Sequence, residues 1–172
     1  MVTNAAAWRD LTDEQRAGWL SLGLMMQRSD SLGQTYDLNG FLAYCSVNNN
    51  KLQAGDAAVS DAPELATPGD LLTATITLTS AAFSIAYTAT PLPTGVRLFI
   101  RVSPQRSAGR KFNGDYRLIA VTAAAAASPH NALAAYTAKF GAPVTGNRLF
   151  ISLQTYFGGF LGSPFNVSQV VA

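Results

Sequence analysis

Residues Val96-Arg97-Leu98-Phe99-Ile100-Arg101-Val102 alternate strictly, with Val96, Leu98, Ile100 and Val102 on one side and Arg97, Phe99 and Arg101 on the other. A two-residue period sends successive side chains to opposite faces of a strand, whereas a helix would scatter the same residues around its circumference. The pattern recurs on both sides of this stretch. Upstream, 71–79 sets Ile76 and Leu78 against Thr75, Thr77 and Thr79, and 82–90 points Phe83, Ile85 and Tyr87 inward before the turn residues Pro91, Pro93 and Gly95. Downstream come 116–122, 133–140, 148–156 with Leu149, Ile151 and Leu153 on one face, and, beyond Gly158-Gly159, a last strand over 164–171. Seven short strands bounded by turn residues predict a mainly β domain over 71–172, an antiparallel sandwich of two packed sheets.

Ahead of it the periodicity is helical. Thr12 followed by Gln15 forms a capping-box pattern, and Asp13 and Glu14 suit the positive end of a helix over 13–22, with Trp19 and Leu22 on one side and Trp8 just before it. Gly23 and the polar run from Gln27 to Ser31 loosen or end that helix. A second helix is expected over 40–54, capped by Asn39 and stopped by Gly55, with Phe41, Cys45 and Leu52 at i, i+4 and i+11 and Tyr44 alongside. The chain then divides into a helical N-terminal region, 1–60, a linker over 61–70 containing Pro63 and Pro68, and the β domain, 71–172.

The segment from Phe83 to Ala172, with the phrase Phe140-Gly141-Ala142-Pro143-Val144-Thr145-Gly146-Asn147-Arg148-Leu149-Phe150-Ile151 and Gly162-Ser163-Pro164 before the final strand, resembles a fibronectin type III or related immunoglobulin-like domain. That resemblance implies a seven-strand immunoglobulin-like sandwich. The N-terminal pattern from Trp8 to Trp19, followed by Gly33-Gln34-Thr35-Tyr36 and Asn39-Gly40-Phe41, resembles uncharacterised bacterial and phage-encoded proteins. Neither resemblance includes a motif that carries chemistry.

Of the 172 residues 48% are hydrophobic and 13% charged, which argues against disorder and suits a chain that buries surface in an assembly. The charges are divided unevenly. Residues 1–70 hold nine acids and four bases, a net of −5; residues 71–172 hold eight bases and one acid, Asp115, a net of +7. The bases are scattered over several segments without a nucleic-acid motif, so contact between oppositely charged surfaces is expected rather than nucleic-acid binding. The lone Cys45 cannot form an internal disulfide and is expected as a buried small hydrophobe. Acids at positions 10, 13 and 14 do not make a secretory leader, so synthesis in the host cytoplasm without a signal peptide is expected. Prolines and polar residues interrupt the uncharged stretches 71–96 and 118–138, and no membrane span is expected.

No enzyme chemistry is expected. The single His130 has only Asp115 as a carboxylate in its domain and no activated nucleophile, and is expected in an exposed loop. Asp37-Leu38-Asn39-Gly40 opens like a calcium loop but lacks the acid at the far end, so it marks the start of a helix. Neither a metal nor a cofactor is expected. Arg106, Arg110 and Lys111 beside Gly109 form a basic loop, expected to be solvated but able to hold an anion.

Surface remains as the carrier of function. In an immunoglobulin-like sandwich the third and sixth strands are neighbours, so Arg97, Phe99 and Arg101 should lie beside Arg148, Phe150, Gln154 and Tyr156 on an outer face. Arginines interleaved with aromatics are typical of interfaces, and this face together with Trp8 and Trp19 is the expected partner-binding surface, unless the N-terminal helices of the same chain cover it. The function expected is that of a virus-particle structural protein located in the virion: a capsid decoration, minor capsid or tail-associated protein binding a protein lattice, copies of itself included. The alternative is a carbohydrate- or cell-surface-binding module, which requires open aromatics such as Phe157 and Phe160.

Overall fold

The computed structural model of the chain describes residues 2–30, 32–71 and 73–172; Ser31 of the expected polar run and Leu72 of the expected first strand lie outside the described residues. Antiparallel sheets and a few helices divide into two compact units. One comprises Met1–Thr67 with Gly158–Phe160, the other Pro68–Phe157 with Leu161–Ala172.

In the first unit, α1 (Val2–Arg9) precedes α2 (Asp13–Met25), a hairpin of β1 (Gln27–Ser29) and β2 (Thr35–Asp37), and α3 (Gly40–Ala54). The first helix and the hairpin were not expected from the sequence. The capping box forms: Gln15 N donates to Thr12 Oγ1 at 3.2 Å while Thr12 N donates to Gln15 Oε1 at 3.0 Å. Helix α2 runs three residues beyond the expected end because Gly23 serves as a contact point and does not break it. A methyl added at Gly23 would overlap the Leu38 carbonyl, and one at Gly40 would stand 2.9 Å from Leu20 N, so two glycines let α2 lie directly against the start of α3. Helix α3 begins as expected, with Leu42 N donating to Asn39 Oδ1 at 2.8 Å, and stops at Gly55 in the left-handed conformation, φ 83°.

The face that α3 buries differs from the one expected. Gly40, Ala43, Tyr44, Val47 and Asn48 are buried, Phe41 and Cys45 are half-buried, and Leu52 is exposed. The core of this unit joins Trp19, Leu22, Leu38, Tyr44, Val47 and Phe160. Three consecutive asparagines, about 100° apart around the helix axis, then fasten three different segments. Asn48 exchanges two hydrogen bonds with the backbone of Val59 (Nδ2 to O 3.1 Å, Val59 N to Oδ1 2.8 Å), Asn49 Oδ1 accepts from Asn4 Nδ2 at 2.8 Å, and Asn50 Nδ2 donates to Gly159 O at 2.9 Å. Val59, Ala62 and Ala66 pack on the same core, so most of the expected linker belongs to this unit.

The second unit contains β3 (Thr73–Leu78), β4 (Phe83–Thr88), β5 (Arg97–Val102), β6 (Arg106–Ser107), β7 (Arg117–Val121), β8 (His130–Asn131), α4 (Leu133–Phe140), β9 (Asn147–Phe157) and β11 (Phe165–Val170), while β10 (Phe160–Leu161) starts at the boundary between the units. One sheet has the order β3-β4-β8. The other has β5 between β7 and β9, with β11 on the opposite edge of β9 and the short β6 also paired to β9. The inward sets expected from alternation are the ones buried. Phe83, Ile85 and Tyr87 from the first sheet share one core with Leu98, Ile100, Val102, Leu149, Ile151 and Leu153 from the second.

Residues 133–140 form a helix, which overturns the strand expected there. Leu133, Tyr136 and Phe140 fall at i, i+3 and i+7, a helical spacing, and Tyr136 is fully buried edge-on to Phe83 at 5.9 Å. His130 is likewise corrected: it pairs with Ile85 in β8 and is half-buried, and burial lowers its pKa below the ordinary imidazole value.

Candidate interaction surfaces

The third and sixth strands are neighbours, as β5 pairs with β9 in the register Arg97↔Tyr156, Phe99↔Gln154 and Arg101↔Ser152. This pairing brings together the expected arginine and aromatic residues on the face turned away from the shared core. The face is not open, however. Phe99, Phe150 and Tyr156 are 0%, 5% and 1% exposed, and Arg97, Arg101 and Arg148 are half-buried.

Phe99 stacks on Tyr156 with centroids 5.0 Å apart and an interplanar angle of 18°, and the Arg101 guanidinium lies 5.2 Å from the Phe99 centroid. Arg101 donates to Gln154, whose Nε2 donates to Gly162 O at 3.1 Å; desolvation lowers the Arg101 pKa. Arg148 Nη1 donates to Ser168 Oγ at 3.2 Å across to β11. These residues form a filled polar and aromatic layer. Cation–π contact and stacking supply its internal cohesion.

Trp8 and Trp19 are also corrected, because both pack within the helical unit. Trp19 is fully buried, donates from Nε1 to Ser60 O at 2.7 Å and meets Tyr44 edge-on at 5.2 Å; Trp8 packs against Phe41 and Tyr44 at 5.7 and 5.4 Å. Cys45 is half-buried beside this cluster, and burial raises its thiol pKa, which disfavours the reactive thiolate. Asp37 ends β2 and Asn39 caps α3, so this segment starts a helix as expected. Of the aromatics that a carbohydrate-binding module would need, Phe160 is buried in the helical unit's core, while Phe157 is 41% exposed.

Two surfaces escaped the sequence argument. On the outside of the helical unit, Leu20, Leu24 and Met25 of α2 are 52%, 58% and 60% exposed, and Tyr36 and Leu42 are also open. Their signal was available, since Leu20 and Leu24 are one helical turn apart and opposite Trp19 and Leu22. In the β unit, Phe112 is 76% exposed at the tip of the loop between β5 and β7, directly after Arg110 and Lys111.

Among the described residues no group of His, Cys, Asp and Glu is placed to hold a metal ion, and no helix is long and apolar enough to cross a membrane. No protein-family model matches the chain, and no curated protein matches it.

Proposed function

We propose that this chain is a non-catalytic structural protein of a phage particle, a capsid decoration, minor capsid or tail-associated protein that binds a protein lattice. In this reading the helical unit attaches to the lattice and the β unit is an immunoglobulin-like sandwich of the fibronectin type III kind, although residues 133–140 depart from that pattern. The strand order supports this fold: counting strands from β3 and leaving aside the short β6 and β10, the first, second and fifth lie in one sheet and the third, fourth, sixth and seventh in the other.

The observation that carries the functional reading is the exposure of Leu20, Leu24 and Met25 on α2. The helical unit already has a complete core around Trp19 and Tyr44, so these side chains are surplus to its own folding. Large apolar groups left in water on a folded unit mark a surface that another protein covers. The resemblance of the N-terminal pattern to phage-encoded proteins supports a partner within a particle.

Sedimentation of the purified protein over a range of concentrations, alongside a Leu24→Asp, Met25→Asp variant, tests the attachment surface. Concentration-dependent assembly of the parent, abolished in the variant, supports it; a parent that is monomeric throughout overturns it. Peptide counting on density-purified particles from the source tests the location. Recovery of this chain at the stoichiometry of a structural component is expected, and its absence from the particles overturns the virion assignment.

A further inference from the structure

The connection between β5 and β7, residues 103–116, is held at its stem by side chains. Ser103 Oγ accepts from Phe150 N at 3.1 Å, Gln105 Oε1 accepts from Val144 N at 2.8 Å and Asn147 Nδ2 at 3.0 Å, and Arg106 Nε donates to Asn113 Oδ1 at 3.3 Å. With β6 paired to β9 and these bonds at the stem, the connection is held in place up to its tip. Arg110, Lys111 and Phe112 project from it into solvent.

Nothing nearby neutralises this tip. Asp115, the sole acid of residues 71–172, is engaged by Arg106 at 3.5 Å and Arg117 at 3.3 Å. Arg110 Nε donates to Phe112 O at 2.8 Å, and neither Arg110 nor Lys111 has an ion pair among the described residues. Asn113, 2% exposed, keeps its Nδ2 without an acceptor among the described residues. Two cations without ion pairs and an open ring fit a partner that bears carboxylates beside apolar surface.

The helical unit has that chemistry. Its residues 1–67 hold eight acids and four bases, a net of −4, with Asp10, Glu14 and Glu64 exposed, and Leu20 and Leu24 are open on α2. Every copy of the chain thus carries both complementary surfaces in equal number. We propose that the Arg110-Lys111-Phe112 tip docks on the acidic helical unit of a second copy, a contact that rests on the assembly reading above and names its partner surface. The two surfaces differ, so the contact is heterologous and propagates head to tail unless the rotation closes a ring.

Charge exchange provides the test, by analytical ultracentrifugation of the full chain at about 0.05 M and about 0.5 M salt, between which screening shortens the Debye length severalfold. The parent should associate at low salt and dissociate at high salt. An Arg110→Glu, Lys111→Glu variant and an Asp10→Lys, Glu14→Lys variant should each lose association by at least about tenfold alone, equivalent to about 1.4 kcal/mol. Mixed together, they should regain association, because the intact tip of one meets the intact acidic surface of the other and the two reversed surfaces are themselves complementary. Phe112→Ser should weaken association without changing the salt dependence, and circular dichroism checks that all variants fold.

If the parent assembles and the loop variant assembles equally well, the docking inference fails while the lattice-binding reading stands. A parent monomeric at both salt concentrations overturns both. A monomeric parent that binds a single-stranded oligonucleotide through Lys111 replaces the second copy with a polyanion.

Discussion

In the β unit the core comes from one rule applied along several strands: every second residue of β4, β5 and β9 enters a common apolar layer, and no single side chain is indispensable to the pattern. In the helical unit no such rule operates. Its packing depends on particular residues with particular polar partners: Trp19 bonded to Ser60, Asn48 clasping Val59, and two glycines at the crossing of α2 and α3. Redundancy in one unit and singularity in the other imply different tolerance to substitution. A missing methyl in a repeated layer leaves many neighbours to relax, whereas a missing clasp strands its partner.

The sharpest way to break this contrast is Trp19→Ala. Truncating a fully buried Trp costs about 3–5 kcal/mol, and here it also leaves Ser60 O without its donor. Hydrogen exchange followed by mass spectrometry should show protection lost over α2 and α3 and kept in β5 and β9. Equal loss in both units would show that they fold as one and end the comparison.

Asn48→Ala comes next, at about 1–3 kcal/mol, because it leaves the half-buried backbone N–H and C=O of Val59 without their side-chain partner. A denaturant midpoint moved by less than about 0.5 kcal/mol would mean that water replaces the clasp. Ile151→Val, in the repeated layer, should cost only about 0.5–1.5 kcal/mol. If chemical denaturation shows it more damaging than Asn48→Ala, the assignment of redundancy to the β unit is wrong.

The smallest effect is a pH dependence confined to the alkaline side. Burial pushes the Tyr136 phenol up to about 12. An unfolded tyrosine ionises near pH 10, so the unfolded state alone gains by losing a proton between pH 10 and about 12. The contribution of Tyr136 is therefore intact below pH 10 and falls away through that window. Urea titrations from pH 9 to 12 should show this fall and a shallower one for Tyr136→Phe, with a remainder from Tyr44, Tyr87 and Tyr116, whose pKa values burial also raises. An unchanged slope would place the alkaline sensitivity elsewhere.

The same contrast explains what could be read from the residues alone. Alternation in 96–102 and 148–156 identified which side chains enter the core, because a two-residue period is a local property. Whether the opposite face is wet or covered is not local, and for Phe99, Phe150 and Tyr156 the sequence leaves open both a partner-binding surface and cover by the chain's own N-terminal helices. A clue existed in Leu149-Phe150-Ile151-Ser152-Leu153, a nearly unbroken apolar run of the kind found where a strand is buried on both faces. Capping residues Thr12, Gln15, Asn39 and Gly55 gave the helix starts and one stop correctly, since caps act over three or four residues. The buried face of α3 was misjudged because Phe41 and Leu52 outweigh Ala43 and Asn48 in hydrophobicity. The small and polar residues were the ones held against the rest of the unit.

Helix α4 gains meaning from its position beside β7, the last strand of its sheet. Lys139 Nζ donates to Leu118 O at 2.6 Å, and the Arg117 guanidinium lies 6.0 Å from the Phe140 ring, so the last turn of the helix is fastened to that strand at two places. An unguarded strand edge is a template on which foreign strands add, and lysine is one of the residues that blunts it. Under the assembly reading proposed above, indiscriminate strand addition would compete with ordered association. The segment that broke the expected run of strands thus covers part of a sheet margin on which a foreign strand could otherwise add.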